Sequence, residues 1–142
     1  VIIPDLNVLI YAVDADSSRH GVALAWLENA VNGGSEELGL PLVVSLGFLR
    51  LTTNPRIFAK PLEVQEALDW IGSLRGARAV RDLHPGRAHM GILGHLLLVA
   101  GTGGNLTTDA HLAALALEQD ATIATGDRDF LRFPGVKLKF LF

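Results

Sequence analysis

NLTTDAHLAALALEQDATIATGDRDFLRF, residues 105 to 133, carries a helix, a strand and an acidic turn in direct succession. Thr107 to Gln119 reads as a helix, with Thr107 or Thr108 as its N-cap and few breakers before Asp120. Ala121 to Thr125 is a short apolar and β-branched run, the pattern of a buried parallel strand. Gly126 to Asp129 is a turn with two aspartates just past that strand. Asp109 falls in the first helical turn, where the helix dipole favours a carboxylate. Asp127 and Asp129 fall beyond a strand's carboxyl end, where open α/β sheets bind their ligands. Taken alone, one capping acid and two turn acids explain this stretch more simply than a metal site does.

The start of the chain changes that balance. Val1-Ile2-Ile3-Pro4-Asp5-Leu6-Asn7 is an apolar run ending in another aspartate, and Val8 to Val13 continues as a helix. Asp5 therefore also stands at the carboxyl end of a strand, with Asn7 just beyond. Neighbouring parallel strands bring their carboxyl ends to one crevice. Asp5, Asp109 and Asp127 can meet there despite their separation in sequence.

Outward from these two stretches, the chain alternates strands and helices. Ser17 or Ser18 is the expected cap of a helix to about Asn32, closed by Gly33-Gly34-Ser35. Glu37 to Leu40 reads as a weak strand. Pro41 opens a helix that stops before Pro55, and Leu62 to Leu74 is a further amphipathic helix with Pro61 near its start. Ala77 to Leu83 reads as a strand, and Arg87 to Ala100 as a helix broken by Gly101-Thr102-Gly103-Gly104. Val136 to Phe142 alternates as a closing edge strand. The expected fold is one three-layer α/β/α domain over residues 1–142, with a central, mostly parallel sheet.

Composition agrees with that fold. A chain of 142 residues with 49% hydrophobic and 19% charged residues is long enough and apolar enough for one packed core. No cysteine is present, which removes disulfides and thiolate metal sites and is compatible with a reducing cytoplasm. The longest apolar run, Met90 to Ala100, contains His95 and is too short to span a bilayer, and no signal peptide is visible. A net charge of −3 argues against nucleic-acid binding by bulk positive charge. It leaves a nuclease open, since acids that hold metal ions make the metal-free chain more acidic. Gly101 to Gly104 lacks the strand and the Gly-Lys-Ser/Thr ending of a phosphate loop. No two of His20, His84, His89, His95 and His111 stand four apart on a helix, which argues against a zinc pair, and Trp26, Phe48 and Trp70 fit core or interface positions.

Three segments, Pro4-Asp5-Leu6-Asn7-Val8-Leu9-Ile10-Tyr11-Ala12, Thr108 to Ala116 and Thr125-Gly126-Asp127-Arg128-Asp129-Phe130, resemble the PIN domain, and more narrowly the VapC toxins of bacterial toxin–antitoxin pairs. A fourth, Leu49 to Phe58, is similar to one VapC subgroup. The four stand in the right order over nearly the whole chain. The resemblance implies an Mg²⁺- or Mn²⁺-dependent endoribonuclease. By motif position it makes Asp5, Asp109 and Asp127 the acids of the metal site and Asp129 a more variable fourth. Asn7 and Thr125 match small polar residues that orient acids or waters. It also implies a cognate VapB-like antitoxin, whose tail runs along a groove to the acids, and a homodimer.

The chemistry suits those residues. Phosphodiester hydrolysis needs an activated water, neutralised charge and a stabilised leaving oxygen, which hard divalent ions on carboxylates supply. Arg128 and Arg132 flank the acids as candidates for RNA phosphate contact, ahead of Arg19, Arg50, Arg56 and Lys60. One position departs from the family: Gly47 stands about where a helix glutamate is usual, and Glu36 and Glu37 lie upstream. That departure puts a two-metal site in question and leaves a second reading, an RNA- or antitoxin-binding module that cleaves weakly. A haloacid-dehalogenase-like phosphatase fits least, because Asn7 replaces the second acid of its Asp-x-Asp motif and no lysine partner is evident.

Overall fold

The computed structural model describes residues 1–142. Five strands, β1 (Ile2–Pro4), β2 (Leu38–Pro41), β3 (Val80–Leu83), β4 (Thr122–Thr125) and β5 (Lys137–Phe140), form one sheet in the order β3-β2-β1-β4-β5. Every pairing is parallel. Six helices connect them: α1 (Leu6–Val13), α2 (His20–Asn32), α3 (Leu42–Thr52), α4 (Val64–Gly76), α5 (His89–Ala100) and α6 (Leu106–Gln119), and a 3₁₀ turn spans Arg128–Arg132. The chain travels from β1 to β2 to β3 in one direction, then back across to β4 and β5, through connections that in parallel sheets are right-handed as a rule. The reversal lays α1 to α4 on one face and α5 with α6 on the other. The expected three-layer architecture is present.

That winding also fixes where a ligand site belongs. The direction of travel reverses between β1 and β4, which pair directly through Ile2–Thr122, Ile3–Ile123 and Pro4–Ala124. Their carboxyl ends flank the topological switch point, the crevice such sheets use.

The core explains why these short strands hold. Ile3, Leu38 and Ile123 are wholly buried, with Leu40 at 1% exposure, so the central strands are apolar on both faces. The run at Leu38–Pro41, which reads as a weak strand in isolation, is buried along its whole length. On α6, Ala110, Ala113 and Ala114 are fully buried, and their small side chains let this helix lie close to the sheet. Phe48 is fully buried and stacks on Trp70 at 4.6 Å, tying α3 to α4.

Several boundaries differ from expectation for local reasons. Helix α1 starts at Leu6, earlier than the apolar run suggests, because Asp5 caps it. Helix α2 starts at His20 with Arg19 at the N-cap and no side-chain cap; Ser17 Oγ instead accepts from the Arg19 backbone N–H. Helix α4 starts at Val64, two residues late, where Glu63 and Glu66 form a reciprocal capping box. Gly101, at φ 77°, ends α5 in the left-handed conformation that glycine adopts without strain. No helix is long and apolar enough to cross a membrane.

Candidate active site

Asp5 is placed by the break between β1 and α1. As the N-cap in extended geometry, it accepts from its neighbour Leu6 N–H through Oδ1 at 2.7 Å. Its second oxygen, Oδ2, accepts from the Thr125 hydroxyl at 2.8 Å. Thr125 ends β4 and is fully buried, and its Oγ1 accepts in turn from Asp127 N–H at 2.9 Å. One hydroxyl thus ties the ends of β1 and β4 together. Asp127 caps the 3₁₀ turn, its Oδ1 accepting from Asp129 N–H at 2.8 Å.

Helix α6 brings Asp109 in from the opposite side. Asp109, Asp127 and Asp129 each offer a carboxylate oxygen, and the three atoms lie within 4.8 Å of one another. Asp5 stands outside this triangle. It shares with Asp109 and Asp127 a cleft of about 130 Å³, whose apolar side is Val43, Val44 and Leu112. A second, polar cavity of about 380 Å³ also contains Asp109 and Asp127 and extends past Asp129 to Arg132. The acids therefore sit between two openings of opposite character.

Their electrostatics are unfavourable without a cation. Burial pushes the Asp109 carboxyl up to about 7, and the charges of Asp5, Asp127 and Asp129 push the same way. Asp5 is also raised, first by burial and last by Asp127, against the lowering effect of its hydrogen bonds from Thr125 and Leu6. Hard carboxylate oxygens that repel one another at a crevice match a divalent cation of the magnesium class.

The other expected site residues have distinct fates. Asn7 is exposed on the cleft and makes no hydrogen bond to an acid. Arg132 lines the polar cavity while donating to the Ala100 carbonyl at 3.0 Å. Arg128 turns from its flanking acids, its guanidinium 3.7 Å from the Phe140 ring centre. Arg50, Arg56 and Lys60 are exposed and line neither cavity. Glu37 pairs with Arg81, and Glu36 and Glu37 both precede β2, so both lie at the amino ends of the strands, away from the acids. Gly47 is buried against α1, where an added Cβ would stand 2.6 Å from Leu6 Cδ2. The place of the usual glutamate is thus filled by the side chain next to Asp5.

One polar network escaped the sequence reading. Buried His89, on α5, meets Glu118 of α6 through Nδ1, and its Nε2 lies 2.7 Å from His111 Nδ1. Gly86 N–H donates to the other Glu118 oxygen at 2.8 Å. His111 has its pKa lowered by burial and then by His89. The only local hint was the seven-residue spacing of His111 and Glu118, two turns apart on one helical face.

Comparison with known proteins agrees with this arrangement. The PIN domain family profile matches residues 2–136. Ribonuclease VapC37 of Mycobacterium tuberculosis is 41% identical over 135 residues, covering 95% of this chain and 93% of that protein. Ribonuclease VapC43 of the same species is 42% identical, covering 91% and 87%. Among solved structures, VapBC-1 from nontypeable Haemophilus influenzae superposes with a TM-score of 0.69 at 16% identity, covering 99% of this chain and 97% of that one. FitAcB from Neisseria gonorrhoeae gives 0.66 at 21%, covering 97% and 96%. Those structures speak to the fold, and the curated sequences to the family. The chain therefore belongs to the PIN-domain family, in its VapC ribonuclease branch.

Proposed function

We propose that this chain is a divalent-metal-dependent endoribonuclease toxin of the VapC type, restrained by a VapB-like antitoxin. The observation that carries this reading is the triangle of Asp109, Asp127 and Asp129 at the switch point, with Asp5 behind it. Mg²⁺ or Mn²⁺ bound there would supply an activated water and offset the charge that develops on the phosphate. Asp109, Asp127 and Asp129 would hold the ion. Asp5, fixed by Thr125 and Leu6, would complete the negative field and orient what enters the cleft. Arg132, on the polar cavity, is placed to meet a phosphate oxygen. Gly47 supplies no carboxylate from α3 and Leu6 packs against it, which favours one ion over two.

The direct test is cleavage of structured RNA with Mg²⁺ or Mn²⁺. Wild-type protein should cut, and Asp5→Asn, Asp109→Asn or excess chelator should lower the rate by at least about a hundredfold. Cleavage that survives both substitutions and the chelator would place the activity elsewhere.

The partners follow the same reading. The acids would attract a basic side chain from an antitoxin tail reaching the cleft. Phe48 is core and Trp70 is stacked on it, which leaves Leu42 and Leu46 of α3, with Val64 and Leu68 of α4, as the exposed apolar positions of this helix pair. A second copy covering them gives a homodimer. Sedimentation should find a dimer that Leu46→Arg weakens at least about tenfold; a monomer at high concentration would remove the dimer.

A further inference from the structure

The charges of this chain are sorted by edge. Two ion pairs, Arg81–Glu37 and Lys137–Asp120, lie at the amino ends of strands. A third, Arg75–Asp82, lies at the edge strand β3. At the carboxyl edge no ion pair forms, although acids and arginines are both present there. Arg128 stands between Asp127 and Asp129 in sequence, yet its guanidinium lies over Phe140 and donates to the Phe142 carbonyl at 3.2 Å. Arg19 likewise has no carboxylate partner. Its guanidinium lies 5.2 Å from the Phe142 ring centre and 5.4 Å from that of Tyr11. Tyr11 and Phe142 meet edge to face at 5.3 Å. The result is an alternation of rings and guanidiniums in two stacks, Phe140–Arg128 and Phe142–Arg19–Tyr11, joined through the Phe142 backbone carbonyl.

The backbone ties this alternation to the acids. Leu141 N–H donates to the Thr125 carbonyl at 3.0 Å, which seats Phe142 beside Gly126. A Cβ at Gly126 would stand 2.5 Å from the Phe142 ring, so the ring packs directly on the residue before Asp127. Both guanidiniums are exposed, and both are held by π faces instead of by acids. Each makes one long hydrogen bond, Arg19 Nη1 to the Tyr11 hydroxyl at 3.4 Å and Arg128 Nη2 to the Phe142 carbonyl, which leaves its other N–H groups for phosphate, while the rings and guanidinium planes offer faces for unpaired bases. Neutralisation of Arg128 by Asp127 or Asp129 would have removed a phosphate contact and a metal ligand together.

We propose that these two stacks form one ledge that holds an unpaired nucleotide of the substrate RNA beside the acids, its base on a ring or guanidinium face and its phosphate on the guanidinium edges. The ledge rests on the ribonuclease reading and names the part of the substrate it takes: a single-stranded nucleotide flanking the scissile phosphate. Its cationic and aromatic make-up lets a chain of net charge −3 grip RNA locally without a basic surface.

The test uses a short labelled single-stranded RNA and its fully paired duplex, with binding read by fluorescence anisotropy in the non-cleaving Asp109→Asn background. Phe142→Leu keeps apolar bulk against Gly126 but removes the π face. Arg19→Gln and Arg128→Gln remove charge from exposed positions. Phe142→Leu should weaken single-strand binding at least about fivefold and leave duplex binding little changed. Each arginine change should lower the salt-dependence slope by about 0.7, the value for one lost phosphate contact on a single strand. In the cleaving protein the loss should fall on KM more than on kcat. Unchanged single-strand affinity and salt slope in all three variants, with wild-type cleavage intact, would overturn the ledge and leave the ribonuclease reading standing. Normal RNA binding with weakened antitoxin binding would assign the surface to a protein and also overturn it. A wild-type protein that neither binds nor cleaves RNA would overturn both.

Discussion

Asp109 concentrates the chemistry of the site in one residue. Its pKa of about 7 arises from burial and from three neighbouring acids, so the folded metal-free protein resists ionising it. The sign follows directly. A carboxyl whose folded pKa lies above its unfolded value contributes no penalty at low pH. The penalty grows as pH rises from about 4 to about 7 and is constant above. Metal-free wild-type protein should therefore melt at a lower temperature at pH 8 than at pH 5 through this group. Asp109→Asn should remove that part of the difference and stabilise the metal-free protein at pH 8 by about 1 kcal/mol, since solvent screens the half-exposed carboxylate. Thermal melts of both proteins at the two pH values, without metal, check this. A variant less stable than wild type at pH 8 would contradict it.

At the scale of elements, what could be read in the sequence was what sits at element ends. Asp5, Asp109 and Asp127 were legible because a strand's end and a helix's first turn leave local marks: an apolar run, then an acid. Their convergence followed from parallel strand order, which the alternation of elements already implied. What stayed hidden was packing between elements. Nothing local to Gly47 says that Leu6 occupies its space. Nothing local to Arg128 says that it turns from its adjacent acids to Phe140. The α5–α6 network joins residues far apart in sequence through buried side chains. There, His89→Ala should strip a partner from the partly buried Glu118 carboxylate and cost about 2–3 kcal/mol of stability. Denaturant unfolding measures it, and a loss under about 0.5 kcal/mol would show that the network contributes little.

For the whole molecule, the doubly wound sheet does two jobs with one reversal of direction. It buries a core on both faces, and it opens a crevice between β1 and β4 whose walls carry acids from three separated segments. The acids cost stability in the metal-free state, and the cation they call for would return it. The amino edge, where the charges are paired off, bears no such strain. Catalytic capacity and latent instability are thus confined to one edge of the fold.

The switch-point acids call for a divalent ion at a site where Asp109, half-protonated near pH 7, must give up its proton to serve as a ligand. Titration calorimetry of Mn²⁺ binding, repeated in buffers of different ionisation enthalpy, reads it most directly, because a ligand must lose its proton to bind. With an Asp109 pKa of about 7, binding should release about half a proton per ion at pH 7 and nearly none at pH 8.5. Asp109→Asn should bind the ion at least about tenfold more weakly and release no proton at either pH. Equal Mn²⁺ affinity in wild type and Asp109→Asn, with no proton release at pH 7, would contradict the account.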